Sequence, residues 1–156
     1  MVVLFNNKFV KVCSACVLAL ATFVSAAANA SVKVEAEDFT NQKGIKTESS
    51  SDTGGGVNIG YIENGDWVEY AIDVPAAGSY TLTARVASAT DGGRFVVLAN
   101  DSEKATVKVK STGNWQAWKT IESTVMLDAG PQTLRFNFKG GSGYLFNMNW
   151  FELIAQ

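Results

Sequence analysis

The stretch Trp67 to Ser88, WVEYAIDVPAAGSYTLTARVAS, decides the fold class. It reads as two strands, 67–74 and 79–88, with apolar residues recurring at a period of two, joined at the turn Pro75-Ala-Ala-Gly78. Proline lacks the N–H that a ladder needs, and glycine opens backbone angles closed to other residues, so this tetrapeptide closes one strand and opens the next. The same grammar extends outward in both directions. Strands are expected at 32–37, 94–99, 105–109, 115–127, 132–138 and 145–154, separated by turns such as Thr90-Asp-Gly-Gly93, Asp128-Ala-Gly-Pro131 and Lys139-Gly-Gly-Ser-Gly143. No segment has helical periodicity. About eight short strands in one domain predict an all-β jelly-roll sandwich of two antiparallel sheets. Only residues 40–56, rich in Thr, Ser and Gly, read as a long loop.

The first thirty residues are of another kind. Lys8 and Lys11 precede the apolar run Ala15 to Val24, and Ala28-Asn29-Ala30 follows it, so residues 1–30 read as a secretory signal peptide cleaved before Ser31. The apolar run is shorter than the ~20 residues of a membrane-spanning helix. Both cysteines, Cys13 and Cys16, lie inside this peptide. The mature domain, residues 31–156, therefore has neither disulfides nor thiolate chemistry, and it is expected in the extracellular or periplasmic space. Loss of Lys8 and Lys11 takes the formal net charge from −2 to −4. A mildly acidic surface with no basic run argues against nucleic acid and anionic membrane as partners. With no histidine in the chain, histidine-dependent catalysis and histidine metal ligation are excluded.

Three groups of residues carry possible chemistry. Gly54 to Trp67, GGGVNIGYIENGDW, sets Tyr61 and Trp67 among short amides and carboxylates, and TGNWQAWKT adds Trp115 and Trp118. Rings beside polar groups suit a sugar, whose C–H face stacks while its hydroxyls hydrogen-bond. In a strand, residues three apart face opposite ways, so one of the two tryptophans should be core; Trp115, beside Gly113, is the better candidate for exposure. Glu35 and Glu37 in VEAED, with Asn149 if the last strand pairs with the first, form a plausible oxygen site for Ca²⁺, although two exposed carboxylates on an edge strand are the simpler reading. Glu63 with Asp66, or Glu48 with Asp52, is the kind of acid pair a hydrolase would need, but fifteen acidic residues produce such pairs by chance.

The series VEAEDF, GIKTESSSDTGGGVNIGYIENGDWVEY, AGSYTLTARVAS, TGNWQAWKT, AGPQTLRFNF and GYLFNMNWFEL resembles the family 6 carbohydrate-binding modules throughout residues 32–154. The resemblance implies a secreted, non-catalytic, monomeric module that binds a plant or algal polysaccharide such as xylan, β-glucan or agarose and is commonly attached to a glycoside hydrolase. A small or fragmentary polysaccharide hydrolase is the alternative. By the same resemblance, Tyr61 and Trp115 match the rings that sandwich a sugar in an edge cleft, and Glu48 and Asn147 match its hydroxyl-binding groups. Trp67 matches a possible second site on a sheet face. Glu35, Glu37 and Asn149 match the side-chain ligands of a structural Ca²⁺, with a backbone carbonyl near Gly56; relatives often carry Asp at the last position, so Asn149 lowers the ligand charge.

Overall fold

Alternation is what builds the core. The computed structural model describes residues 30–156, so the expected signal peptide, apart from Ala30, lies outside the described residues. Eleven strands occur: β1 (Ser31–Glu35), β2 (Asn41–Lys43), β3 (Lys46–Ser49), β4 (Val57–Gly60), β5 (Trp67–Val74), β6 (Gly78–Ala87), β7 (Arg94–Ala99), β8 (Ser102–Lys108), β9 (Lys119–Leu127), β10 (Gly130–Lys139) and β11 (Asn147–Ala155). In β5, Val68, Tyr70, Ile72 and Val74 are buried while the intervening residues face outward, and Leu134, Phe136 and Phe138 of β10 repeat the pattern. No helix occurs among the described residues.

Two antiparallel sheets stack face to face. One has the order β3-β4-β11-β6-β9, with β1 also paired to β11; the other runs β2-β5-β10-β7-β8. Aromatic side chains join them: Phe151 of β11 meets Tyr70 of β5 and Phe136 of β10 at centroid distances of 4.9 and 5.0 Å. Such pairs add roughly 0.5–1.5 kcal/mol each beyond area burial. The buried Tyr70 hydroxyl donates to Ala36 O at 2.8 Å, and burial pushes its ionisation far above the ordinary tyrosine range.

Three differences from the sequence reading bear on function. Residues 40–56 are not one long loop, because β2 and β3 lie inside them and β3 pairs with β4 as a hairpin whose tip is residues 50–56. β3, KTES, carries no alternating apolar pattern, so its pairing leaves no trace in the hydrophobic period. Residues 115–118 are not strand: Gln116 N donates to Asn114 Oδ1 at 2.8 Å and Ala117 N to Asn114 O at 3.2 Å, bending the chain before β9 begins at Lys119. In β11 the ladder against β6 slips between Met148 and Trp150, a β-bulge that places Asn149 outside the regular alternation.

Candidate functional site

At one edge of the sandwich, five side chains from four segments line an open cleft of about 210 Å³: Glu48 of β3, Tyr61 just beyond β4, Trp115, Tyr144 and Asn147 at the start of β11. Tyr61 has φ = 58°, a left-handed conformation uncommon outside glycine, which turns its ring out of the β4 line. It is 38% exposed, and Tyr144, 50% exposed, packs edge-on against it at 5.4 Å and 84°. Lys46 Nζ lies 5.4 Å from the Tyr61 ring centroid, and a smaller hollow lined by Gly44, Lys46, Glu63 and Asp66 continues beyond the two tyrosines.

The floor is polar and tightly bonded. Asn147, nearly fully buried, donates from Nδ2 to Glu48 Oε1 at 2.6 Å and to Trp115 O at 2.8 Å, tying β11, β3 and the Trp115 turn together. Glu48 Oε1 also accepts from Gln116 Nε2 at 3.1 Å and Asn58 Nδ2 at 3.4 Å. Gly60 makes this possible: a Cβ there would sit 2.7 Å from Asn147 Oδ1 and 3.5 Å from Glu48 Oε1. With both Asn147 protons committed inward, Asn147 Oδ1 and Glu48 Oε2 have no protein donor among the described residues. Rings on the walls and oxygen acceptors on the floor can stack a pyranose or furanose ring and accept its hydroxyl protons.

The cleft thus gathers Glu48, Tyr61, Trp115 and Asn147. Trp118 is not part of it; its indole N–H donates to Gln116 Oε1 at 3.1 Å. The tryptophan facing the cleft is Trp115, but the reason is a turn rather than strand alternation, and both indoles are half-buried instead of one being core. Tyr144 went unread, although it follows the glycine-rich turn GGSG as Trp115 follows Gly113. Asn58, one of the short amides beside Tyr61 in the sequence, bonds Glu48 beneath the cleft, as does Gln116, which no sequence pattern marks.

Glu35, Glu37 and Asn149 meet in a second hollow, together with Thr53 to Val57 and Lys33. It forms where β1 and β4, which flank β11 on the same side, give way to each other: Glu35 pairs with Trp150, and Ala36 N donates to Asn149 O at 2.9 Å. Glu37 is beyond the end of β1, in a turn, so the two glutamates meet there without being strand neighbours on one face. Glu37 Oε2 is buried without a hydrogen-bond partner, and burial raises the pKa of its carboxyl. Glu35 is paired with Lys33 at 2.7 Å. Asn149 Nδ2 donates to Asp52 Oδ2 at 3.0 Å, which leaves Oδ1 as its free oxygen. Asp52 is itself clamped by Arg85 at 2.6 and 2.8 Å, which holds its carboxyl below the usual carboxylate range. Two carboxylates and an amide oxygen are hard oxygen donors of the type Ca²⁺ takes, and an orphaned buried carboxylate oxygen fits such a cation.

In each pair weighed for hydrolysis, one acid has a structural task. Asp66 Oδ2 accepts from Glu63 N at 2.8 Å and shapes the turn before β5, and Asp52 belongs to the Arg85 clamp rather than the cleft. Trp67 lies on the outer face of the five-stranded sheet with the Arg135 guanidinium 3.9 Å above its ring; Arg135 also bonds Glu69 and Asn137 at 2.8 Å. A sugar stacking on that face of Trp67 would have to displace a paired cation.

The sequence pattern of the family described as Carbohydrate binding module (family 6) matches residues 35–155. The fold is similar to that of a carbohydrate-binding module from Cellvibrio mixtus lichenase 5A in complex with cellotriose, at 35% identity and a TM-score of 0.74, covering 80% of this chain and 97% of that one. It is also similar to a family 6 module from Clostridium cellulolyticum in complex with xylose, at 40% identity and a TM-score of 0.71, covering 77% and 94%. The arabinoxylan arabinofuranohydrolase of Bacillus subtilis (strain 168) is 38% identical over 132 residues, 80% of this chain. The chain spans 26% of that relative's length and 18% of another's, so the match is to one module of much larger proteins. Family pattern, fold and sequence identity agree: the chain belongs to the family 6 carbohydrate-binding modules, which are non-catalytic binding modules that also occur as parts of glycoside hydrolases.

Proposed function

We propose that this chain is an exported module that binds the end of a neutral polysaccharide chain of the xylan, β-glucan or agarose type in the Tyr61–Trp115 cleft. The observation that carries the reading is the pairing of aromatic walls with a floor of free oxygen acceptors. A carboxylate on the floor repels a uronate or sulfate and welcomes hydroxyl donors, so the ligand is a neutral sugar. The small volume and side walls favour a chain end over an internal unit. The module acts as a monomer with neither nucleic-acid nor membrane partner, and its affinity serves to hold a larger enzyme, or itself, on the polymer. Glu35, Glu37 and Asn149 hold a Ca²⁺ that ties β1 to the hairpin tip and supports the fold.

Affinity electrophoresis of residues 31–156 through gels containing xylan, laminarin, agarose oligosaccharide or soluble cellulose tests this directly. Retardation by one polymer, lost in a folded Trp115→Ala variant, is the expected result. Unaltered retardation of that variant would remove the cleft from the reading, and steady release of reducing sugar would replace a binding module with a hydrolase. Mass spectrometry of the exported protein, with an N-terminus at Ser31, checks the leader.

A further inference from the structure

We propose that Gln116 is a positioning residue of the cleft, the single amide that sets both the Glu48 carboxylate and the Trp115 turn for the sugar; this rests on reading the cleft as the sugar site. A side-chain amide has two N–H donors and an oxygen with two lone pairs, and Gln116 uses all four. Its Oε1 accepts from Ser51 N at 2.8 Å and from Trp118 Nε1 at 3.1 Å. Its Nε2 donates to Glu48 Oε1 at 3.1 Å and to Asn58 Oδ1 at 3.2 Å. The partners come from four places: the hairpin tip, the turn itself, β3 and β4. Glu48 joins as many segments, β4, the turn and β11, but among the cleft's polar side chains only Gln116 also reaches the hairpin tip, through Ser51 N.

The consequence falls on the acceptor that meets the sugar. Gln116, Asn147 and Asn58 all donate to Glu48 Oε1, so the carboxylate is held with that oxygen inward and Oε2 left for the ligand. An amide satisfied at all four positions holds one geometry, and a side chain already ordered before binding spares the complex the loss of its rotamers. Gln116 is also the neighbour of Trp115 in the turn, so its bonds to β3 and β4 fix the distance between the indole and the carboxylate. It does not line the cleft; it acts through Glu48 and Trp115.

Two substitutions of similar size separate positioning from plain support of the fold. Gln116→Met removes every side-chain hydrogen bond and keeps the backbone bond from residue 116 N to Asn114 Oδ1. Gln116→Glu keeps acceptors for Ser51 N and Trp118 Nε1 but sets a carboxylate against Glu48, the one titratable group among its partners. The probes are cellotriose, xylotriose and laminaritriose, titrated calorimetrically, with thermal unfolding recorded alongside. Each variant is expected to bind the probe that wild type binds about ten-fold more weakly near neutral pH. The Gln116→Glu deficit should narrow as pH is lowered, because a proton shared between two adjacent carboxyls restores a donor between them, whereas the Gln116→Met deficit should not narrow. Affinity within about two-fold of wild type in both variants, or equal pH-independent losses that follow a fall in the unfolding midpoint, would overturn the assignment. Wild type binding none of the probes or polymers would instead overturn the sugar reading of the cleft, and the assignment with it.

Discussion

Replacing Glu48 separates its two oxygens. In Glu48→Ala, Asn147 and Gln116 each lose an acceptor, at 2.6 and 3.1 Å, in a region where Asn147 is 4% exposed. Each orphaned buried donor costs about 1–3 kcal/mol, but the cleft is open and water can reach part of the gap, so the sum should be near the low end, about 2–3 kcal/mol. That is a fall of roughly 6–12 °C in unfolding midpoint for a domain of this size. Glu48→Gln behaves differently. Three donors converge on Oε1, so the new carbonyl oxygen takes that place and the NH2 group faces the cleft. Stability should then change by only about 1 kcal/mol, while an ionised acceptor for a sugar hydroxyl has become a donor, costing about 1.5–3 kcal/mol of binding, or about 10- to 150-fold. Thermal unfolding and calorimetric titration of both variants read the two effects independently. A Glu48→Gln variant that binds as wild type does would refute the role of Oε2, and a Glu48→Ala variant of unchanged stability would refute the network beneath it.

Other expectations follow from the same geometry. Tyr144→Ala removes half of an edge-to-face pair and one wall, and should weaken oligosaccharide binding by about ten-fold with the fold retained; titration checks it. Gly60→Ala drives a methyl group within 2.7 Å of Asn147 Oδ1, so binding should fall more than stability does, as judged by titration beside a denaturant curve. Ca²⁺ at about 100 times its Kd should raise the unfolding free energy by about 2.7 kcal/mol over chelated protein, and Glu37→Gln should abolish that difference; an equal calcium-dependent shift in the variant would locate the ion elsewhere.

The strands were legible where burial imposes a period. Residues 67–74 and 94–99 read as strands and are strands, because each buries alternate or continuous apolar side chains. The β3–β4 hairpin was not legible, since KTES exposes both faces and its stability comes from pairing and from Glu48's bonds. Trp115, favoured by its proximity to Gly113, lines the cleft and Trp118 does not, but both are half-buried, and the alternation argument assumed a strand where Asn114 makes a turn. Tyr144 had the same local signature and was passed over.

By itself the sequence determined an all-β sandwich, the absence of histidine from the chain and of cysteine from residues 31–156, and the aromatic and acidic residue types present in the domain. These depend on composition and on periodicity along the chain. Only the tertiary structure decided which oxygens are free. That property arises where separated segments meet: Asn147 and Gln116 consume one oxygen of Glu48 across 99 and 68 residues of sequence, and a β-bulge and the Asp52–Arg85 clamp turn Asn149 toward its hollow. Hydrogen bonds between distant segments leave no period in either, so no reading along the chain could anticipate them.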